Sequence, residues 1–315
     1  MSNATKVPET HELTGDDVRK TLADTGWLAL LKDSFVRLRA ADGFSHARAL
    51  AFTTSLILVQ GMIVVVGLAS AFGDVRFVRT AITAIEAAVP GPAADVLKNA
   101  VGQANRVGAD GEYLPLTLGL VGLLITATVA MGQFERSLNR LYGIEQDRPS
   151  LVKYTRALLL AVTAGSLIAL AFLMVAFGRG VLTSGIETVL RWPLAILLAA
   201  AGLGALFHYA PRRRQPAWSW LVFGSAVGVI LWTLATLLLA LAFRASSSFG
   251  DTYGPLAGIV ALQLWSFLSA CAILCGAAAV AQLEAVRAGV TKPREEKERQ
   301  PASGRELLGR LAPNR

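Results

Sequence analysis

The stretch from Thr252 to Leu283, TYGPLAGIVALQLWSFLSACAILCGAAAVAQL, contains no Asp, Glu, Lys or Arg. A helix needs about 20 apolar residues to cross a hydrocarbon core about 30 Å thick. This run exceeds that length and is far longer than an ordinary strand. Five more uncharged runs precede it: Ala49–Gly73, Tyr113–Phe134, Ala157–Gly178, Trp192–Pro211 and Gln215–Phe243. The pattern predicts an all-α polytopic membrane protein with six transmembrane helices. The excess length of the last two runs implies tilt or extension beyond the bilayer.

Composition agrees with this reading. The 315 residues are 54% hydrophobic, above the roughly 45–50% of soluble domains. The mean hydropathy is +0.51. The net charge of +8 is gathered into short blocks beside the apolar runs, with no separate basic domain that could carry a nucleic-acid groove. Lys and Arg in alternate connections number 23 on the side of the two tails and 7 on the other side. The positive-inside rule therefore puts both tails in the cytoplasm. The first 17 residues are polar, so the first span rather than a cleavable leader is expected to direct insertion.

Outside the spans, residues 1–15 read as a disordered tail and 16–40 as an amphipathic interfacial helix. Trp27, Leu28, Leu31, Phe35 and Leu38 fall at helical spacing, with Lys32, Arg37 and Arg39 available for a polar face. Such a helix suits the headgroup plane, or alternatively packs on the end of the bundle. The transmembrane domain occupies 41–284, and 285–315 reads as a charged tail with a short helix at Arg305–Leu311. In the connection after the first span, Val75, Val78, Ile82, Ile85 and Val89 form one apolar stripe. Pro90-Gly91-Pro92 breaks the chain, and Val96, Leu97, Ala100, Val101 and Ala104 form a second stripe. This predicts an outer helical hairpin, about 75–105, too short to span and placed to cover the outer face.

The six uncharged cores hold no ionisable carboxylate or cation, which argues against coupling through an intramembrane charge. His11, His46 and His208 lack metal-ligand partners at helical spacing, and no phosphate loop, zincin motif or nucleophile elbow is present. No catalytic residue, cofactor or metal is expected. Cys271 and Cys275 lie four apart in an apolar run and read as small packing residues. The remaining polar groups cluster at the basic span ends. Arg48, Arg136, Asn139, His208, Arg212, Arg213 and Arg214 are candidates for holding phosphate-bearing headgroups, provided that the ends converge. Topology anchoring is the plainer role for the same residues. Gly224 and Gly228, and Gly254 and Gly258, have the G-x-x-x-G spacing of close helix contacts. Pro255 is placed to open the sixth helix, with Asp251 or Thr252 as its cap.

Four motifs together resemble the YihY/BrkB family of bacterial inner-membrane proteins. They are residues 49–56 (ALAFTTSL), 138–144 (LNRLYGI), 207–211 (FHYAP) and 253–258 (YGPLAG), the last followed by Leu264-Trp265. The resemblance runs from about Asp33 to Glu284. In the first span the chain departs from the family pattern: Thr53 follows Phe52, and Gln60-Gly61 stands where a proline is usual. The resemblance implies a plasma-membrane location and a role in envelope integrity, with transport of lipid-like amphiphiles proposed for some members. It also carries a ribonuclease label, which the absence of a metal or acid–base cluster in this sequence argues against. The expectation is a non-enzymatic membrane protein that moves or accommodates lipids and has anionic headgroups as its partners. A scaffold that binds partner proteins is the alternative, and a membrane-bound hydrolase comes third.

Overall fold

The computed structural model describes residues 2–10, 12–72, 76–108, 114–177, 185–245 and 256–295. Gly254, the cap residues Asp251 and Thr252, Pro255, His11 and the helix expected at Arg305–Leu311 lie outside these segments. Among the described residues the chain is all helical: α1 (Gly15–Thr25), α2 (Trp27–Ala40), α3 (Gly43–Phe72), α4 (Arg76–Ala88), α5 (Gly91–Gly108), α6 (Leu114–Leu141), α7 (Ser150–Phe177), α8 (Gly185–Tyr209), α9 (Trp218–Ala245) and α10 (Ala257–Arg287). Six of them, α3 and α6 to α10, are long and apolar enough to cross a membrane.

The spans pack in sequence order as a closed circuit. Each touches the next from α3 through α6, α7, α8 and α9 to α10, which returns to α3. α10 is the most enclosed, with 67% of its most apolar window buried against 11–33% for the other five. Its small residues account for this. A Cβ on Gly276 would meet the Gly224 carbonyl and, at 2.9–3.0 Å, the Gly228 backbone, so α9 and α10 touch backbone to backbone. The Gly224–Gly228 seam is thus an internal contact of this chain. Gly258 does the same for α5, where an added Cβ would strike Val96 and sit 2.9 Å from the Pro92 carbonyl.

The hairpin expected at 75–105 is α4 and α5, crossing at Gly91. Ile85, Val89, Ala93, Ala94 and Leu97 are buried against Leu239, Ala261, Leu262 and Trp265, which plugs one end of the circuit. Several helices also run past the charge-free segments. α6 continues from Phe134 to Leu141, α7 begins at Ser150 instead of Ala157, and α10 continues past Leu283 to Arg287. Counting uncharged residues ends a span at its first charge, whereas the helix goes on into the polar zone. These extensions meet at the end opposite the hairpin, called here the basic end.

Two expectations fail at the basic end. Residues 2–10 are not a loose tail. Asn3 N–H donates to the Ala40 carbonyl, Thr5 N–H to Pro293 and Val7 N–H to Tyr142, while Glu295 N–H donates to Asn3. Ala4 and Val7 are buried, so this segment straps the bundle and holds residues 293–295 of the expected charged tail. The helix expected at 16–40 is broken at Gly26, whose φ of +79° favours glycine. In α2, Leu30, Ser34, Arg37 and Leu38 face the protein while Trp27, Leu28, Leu31 and Phe35 stay exposed. Arg37, expected on the polar face, is fully buried.

Candidate functional site

Apolar helices leave the basic end with charges that must find partners or water. Three arrangements result. In the first, Arg37 is enclosed by the strap and by α10. Its Nε donates to Gln282 Oε1 at 2.7 Å, and its Nη1 donates to the Thr5 and Leu141 carbonyls at 2.9 and 3.0 Å. Burial pulls the guanidinium down to about 10, and Tyr142 and Glu284 nearby resist that pull, so it stays charged at neutral pH. Glu284 is also fully buried. It accepts from Thr10 Oγ1 and forms an ion pair with Arg213. The Arg213 guanidinium lies over the Tyr142 ring, 4.4 Å from its centroid, and also donates to the Pro8 carbonyl. Burial, with Glu284 nearby, pushes the Tyr142 hydroxyl up, and this group donates to Gln215 Oε1 at 3.2 Å.

The second arrangement is built on Asp147, in the link between α6 and α7. Arg136 donates to it at 2.8 Å, Lys153 at 3.1 Å and Asn139 at 3.3 Å. Burial raises this carboxyl, but the three hydrogen bonds outweigh it and bring the group to about 2. Asn139 Oδ1 accepts from the Arg212 backbone at 2.7 Å, and the Arg212 side chain donates to the Asp147 carbonyl at 2.8 Å. Arg136, Asn139 and Arg212 are therefore occupied in fixing one link to another.

The third is an open pocket of about 380 Å³ where α7, α8 and the 210–215 link meet. Arg148, Arg156, His208, Tyr209, Pro211, Arg213, Arg214 and Gln215 line it. Arg148 is anchored by an ion pair to Glu135 at 2.9 Å and by donation to the Ala210 and Pro211 carbonyls, both at 2.7 Å. The His208 ring stacks on Trp218 and meets Tyr209 edge-on. Three buried side-chain atoms of lining residues have no hydrogen-bond partner: His208 Nδ1, Arg213 Nη1 and Gln215 Nε2.

Of the seven candidate headgroup residues, His208, Arg213 and Arg214 thus converge. Arg136, Asn139 and Arg212 belong to the neighbouring Asp147 network. Arg48 sits apart on α3 and donates to Ser45. Sequence reasoning singled out neither Arg148, Arg156 nor Gln215 for the pocket, nor Arg37 and Glu284 for the buried pairs. Lys153 and Arg156, three apart at the start of α7, were a usable signal, because a helix repeats its face at that spacing. Among the described residues no group of three or more His, Cys, Asp or Glu side chains is placed to hold a metal.

Comparison with known proteins finds relatives of this sequence. The chain is 24% identical to the ribonuclease-like protein YfkH of Bacillus subtilis over 267 residues, 79% of this chain and 93% of that one. It is 28% identical to a UPF0761 membrane protein of Methylibium petroleiphilum, covering 82% of this chain, and 28% identical to one of Verminephrobacter eiseniae, covering 81%. It spans only 63% and 62% of those two longer relatives. No solved structure matches it. The family described as "Virulence factor BrkB" matches residues 34–301, from within α2 to beyond α10, and the chain belongs to that family of membrane proteins.

Proposed function

We propose that this is a non-enzymatic plasma-membrane protein that accommodates or moves lipid-like amphiphiles, with phosphate-bearing headgroups held in the basic pocket, and so supports the envelope. The carrying observation is the pocket itself, in which four arginines gather at the ends of two spans. Arginine forks match phosphate oxygens in a way that a single ammonium does not. The spans beside it offer uncharged surface, which suits acyl chains and asks for no coupling charge at mid-membrane.

The 23-to-7 excess of Lys and Arg supports a basic end that faces the cytoplasm, with both chain ends there. The exposed Trp27, Leu28, Leu31 and Phe35 support α2 lying at the headgroup level on that side, with Lys32 and Arg39 reaching lipid phosphates. A scaffold that binds partner proteins without transport is the competing reading. It is favoured by the way Arg136, Asn139 and Arg212 are consumed in internal contacts.

The test is lipid translocation in proteoliposomes, followed by bleaching of fluorescent phospholipids in the outer leaflet. The informative variant is Arg156→Gln/Arg214→Gln. Both residues are exposed, whereas Arg213 also holds Glu284 and its loss would disturb the fold. Translocation above protein-free vesicles that falls in the variant supports transport. No translocation with any lipid class gives precedence to the scaffold.

A further inference from the structure

We infer that the basic pocket takes a doubly charged phosphomonoester, in preference to a zwitterionic headgroup or a singly charged phosphodiester. This rests on the reading of the pocket as a headgroup site and names its ligand. The first argument is charge. Arg148 is matched by Glu135 and Arg213 by Glu284. Among the described residues, Arg156 and Arg214 have no acidic partner, which leaves two cations for the occupant. A phosphodiester carries one negative charge and leaves one of them unmatched. A phosphomonoester carries about −1.5 to −2 near neutral pH and matches both.

The second argument is the count of donors. Arg156 and Arg214 are both exposed pocket residues, and each guanidinium carries several N–H donors in a planar fork. A terminal phosphate has three oxygens to offer, against two for a diester. Arg156 and Arg214 put these donors on the open side of the pocket. About 380 Å³ leaves room for the ester-linked group behind the phosphate.

The third argument is depth. Arg156 and Tyr209 both belong to membrane-spanning segments, and Tyr209 and Trp218 remain partly exposed beside the pocket. Aromatic rings with polar edges are enriched at the level of lipid headgroups. The phosphomonoester can therefore arrive on a lipid of the phosphatidate type. A soluble phosphomonoester has the same chemistry, and the experiment separates the two.

The full chain is placed in phosphatidylcholine nanodiscs that contain either phosphatidic acid or twice as much phosphatidylglycerol, which matches the surface charge. Retention of each lipid is read by native mass spectrometry, with glycerol phosphate added as a soluble competitor. We expect the wild type to retain phosphatidic acid about tenfold better than phosphatidylglycerol, equivalent to about 1.4 kcal/mol. Arg156→Gln/Arg214→Gln should lose that preference while Arg48→Gln, away from the pocket, keeps it. Competition by glycerol phosphate identifies a soluble ligand, and its failure to compete identifies the lipid. Equal retention of the two lipids, or a preference that survives the double substitution, overturns the inference. Retained preference without any translocation would leave the inference standing and remove the transport reading; translocation without preference would do the reverse.

Discussion

Replacing Glu284 by alanine removes the carboxylate that joins the strap, the 210–215 link and α10. In the folded protein its Oε1 takes hydrogen bonds from Thr10 and Arg213, and both members of the ion pair are buried to 2% exposure or less. Breaking such a pair by deleting one partner costs about 3–5 kcal/mol, because the remaining charge stays buried and unmatched. Arg213 keeps its hydrogen bond to the Pro8 carbonyl and its place over the Tyr142 ring, and we expect a cost near the lower limit, about 3 kcal/mol. Arg213→Met/Glu284→Leu removes both charges and should recover most of the loss, ending within about 1 kcal/mol of wild type. Reversible unfolding in mixed detergent micelles, followed by tryptophan fluorescence, measures both, with the buried Trp220 among the reporters. A cost below about 0.5 kcal/mol for Glu284→Ala would refute the claim that this pair holds the basic end together, since that is the range of an ordinary surface change. So would a double variant whose loss is the sum of the two single losses.

Three further outcomes follow from the geometry. Gly276→Ala puts a Cβ against the Gly224 and Gly228 backbone and should cost about 1–3 kcal/mol. Gly165→Ala, with nothing within 4 Å of its added carbon, should be neutral or stabilising by up to about 1 kcal/mol; equal effects in micellar unfolding would contradict the seam. The Asp147 carboxyl is depressed in the folded state from 3.8 to about 2, so its stabilisation is complete above the unfolded value and fades as pH falls through the folded one. The difference in melting temperature between wild type and Asp147→Asn should therefore be constant above about pH 5 and shrink toward pH 2; a difference that grows on acidification would contradict the sign. Finally, with Cys271 and Cys275 replaced by serine, Asp95→Cys should react with an impermeant maleimide in intact cells and Glu145→Cys only after permeabilisation. Their side chains are 63% and 49% exposed, so access through the membrane rather than burial decides, and the reverse pattern would invert the proposed orientation.

The spans were legible because a run of uncharged residues as long as 252–283 has no stable place in water. The hairpin was legible for a similar reason: Ile85, Val89 and Leu97 keep a helical period across the Pro90-Gly91-Pro92 break. Local pattern failed where partners are distant in sequence. Arg37 looked like one cation on an amphipathic helix, yet its partner Gln282 is 245 positions away. Residues 2–10 have the composition of a tail, and only their pairing with Ala40, Tyr142 and Pro293 makes them a strap. The small-residue seam was half visible, since Gly224 and Gly228 show the spacing while Gly276 lies in a run of alanines. At the candidate site, sequence gave the density of arginines but not their division. Glu135, Asp147 and Glu284 decide which arginines are spoken for and leave Arg156 and Arg214 without an acidic partner among the described residues.

The strap has a consequence for the order in which the protein is made. Translation delivers Asn3, Thr5 and Arg37 well before Gln282, Glu284, Pro293 and Glu295, the groups that complete their contacts. Until the sixth span is inserted, Arg37 and Arg213 stand at the membrane without their side-chain acceptors on α10, however well the earlier helices have entered the bilayer. Closure of the basic end therefore reports that synthesis has reached residue 295. A chain halted after the fifth span keeps those cations uncovered, a physical mark of incompleteness.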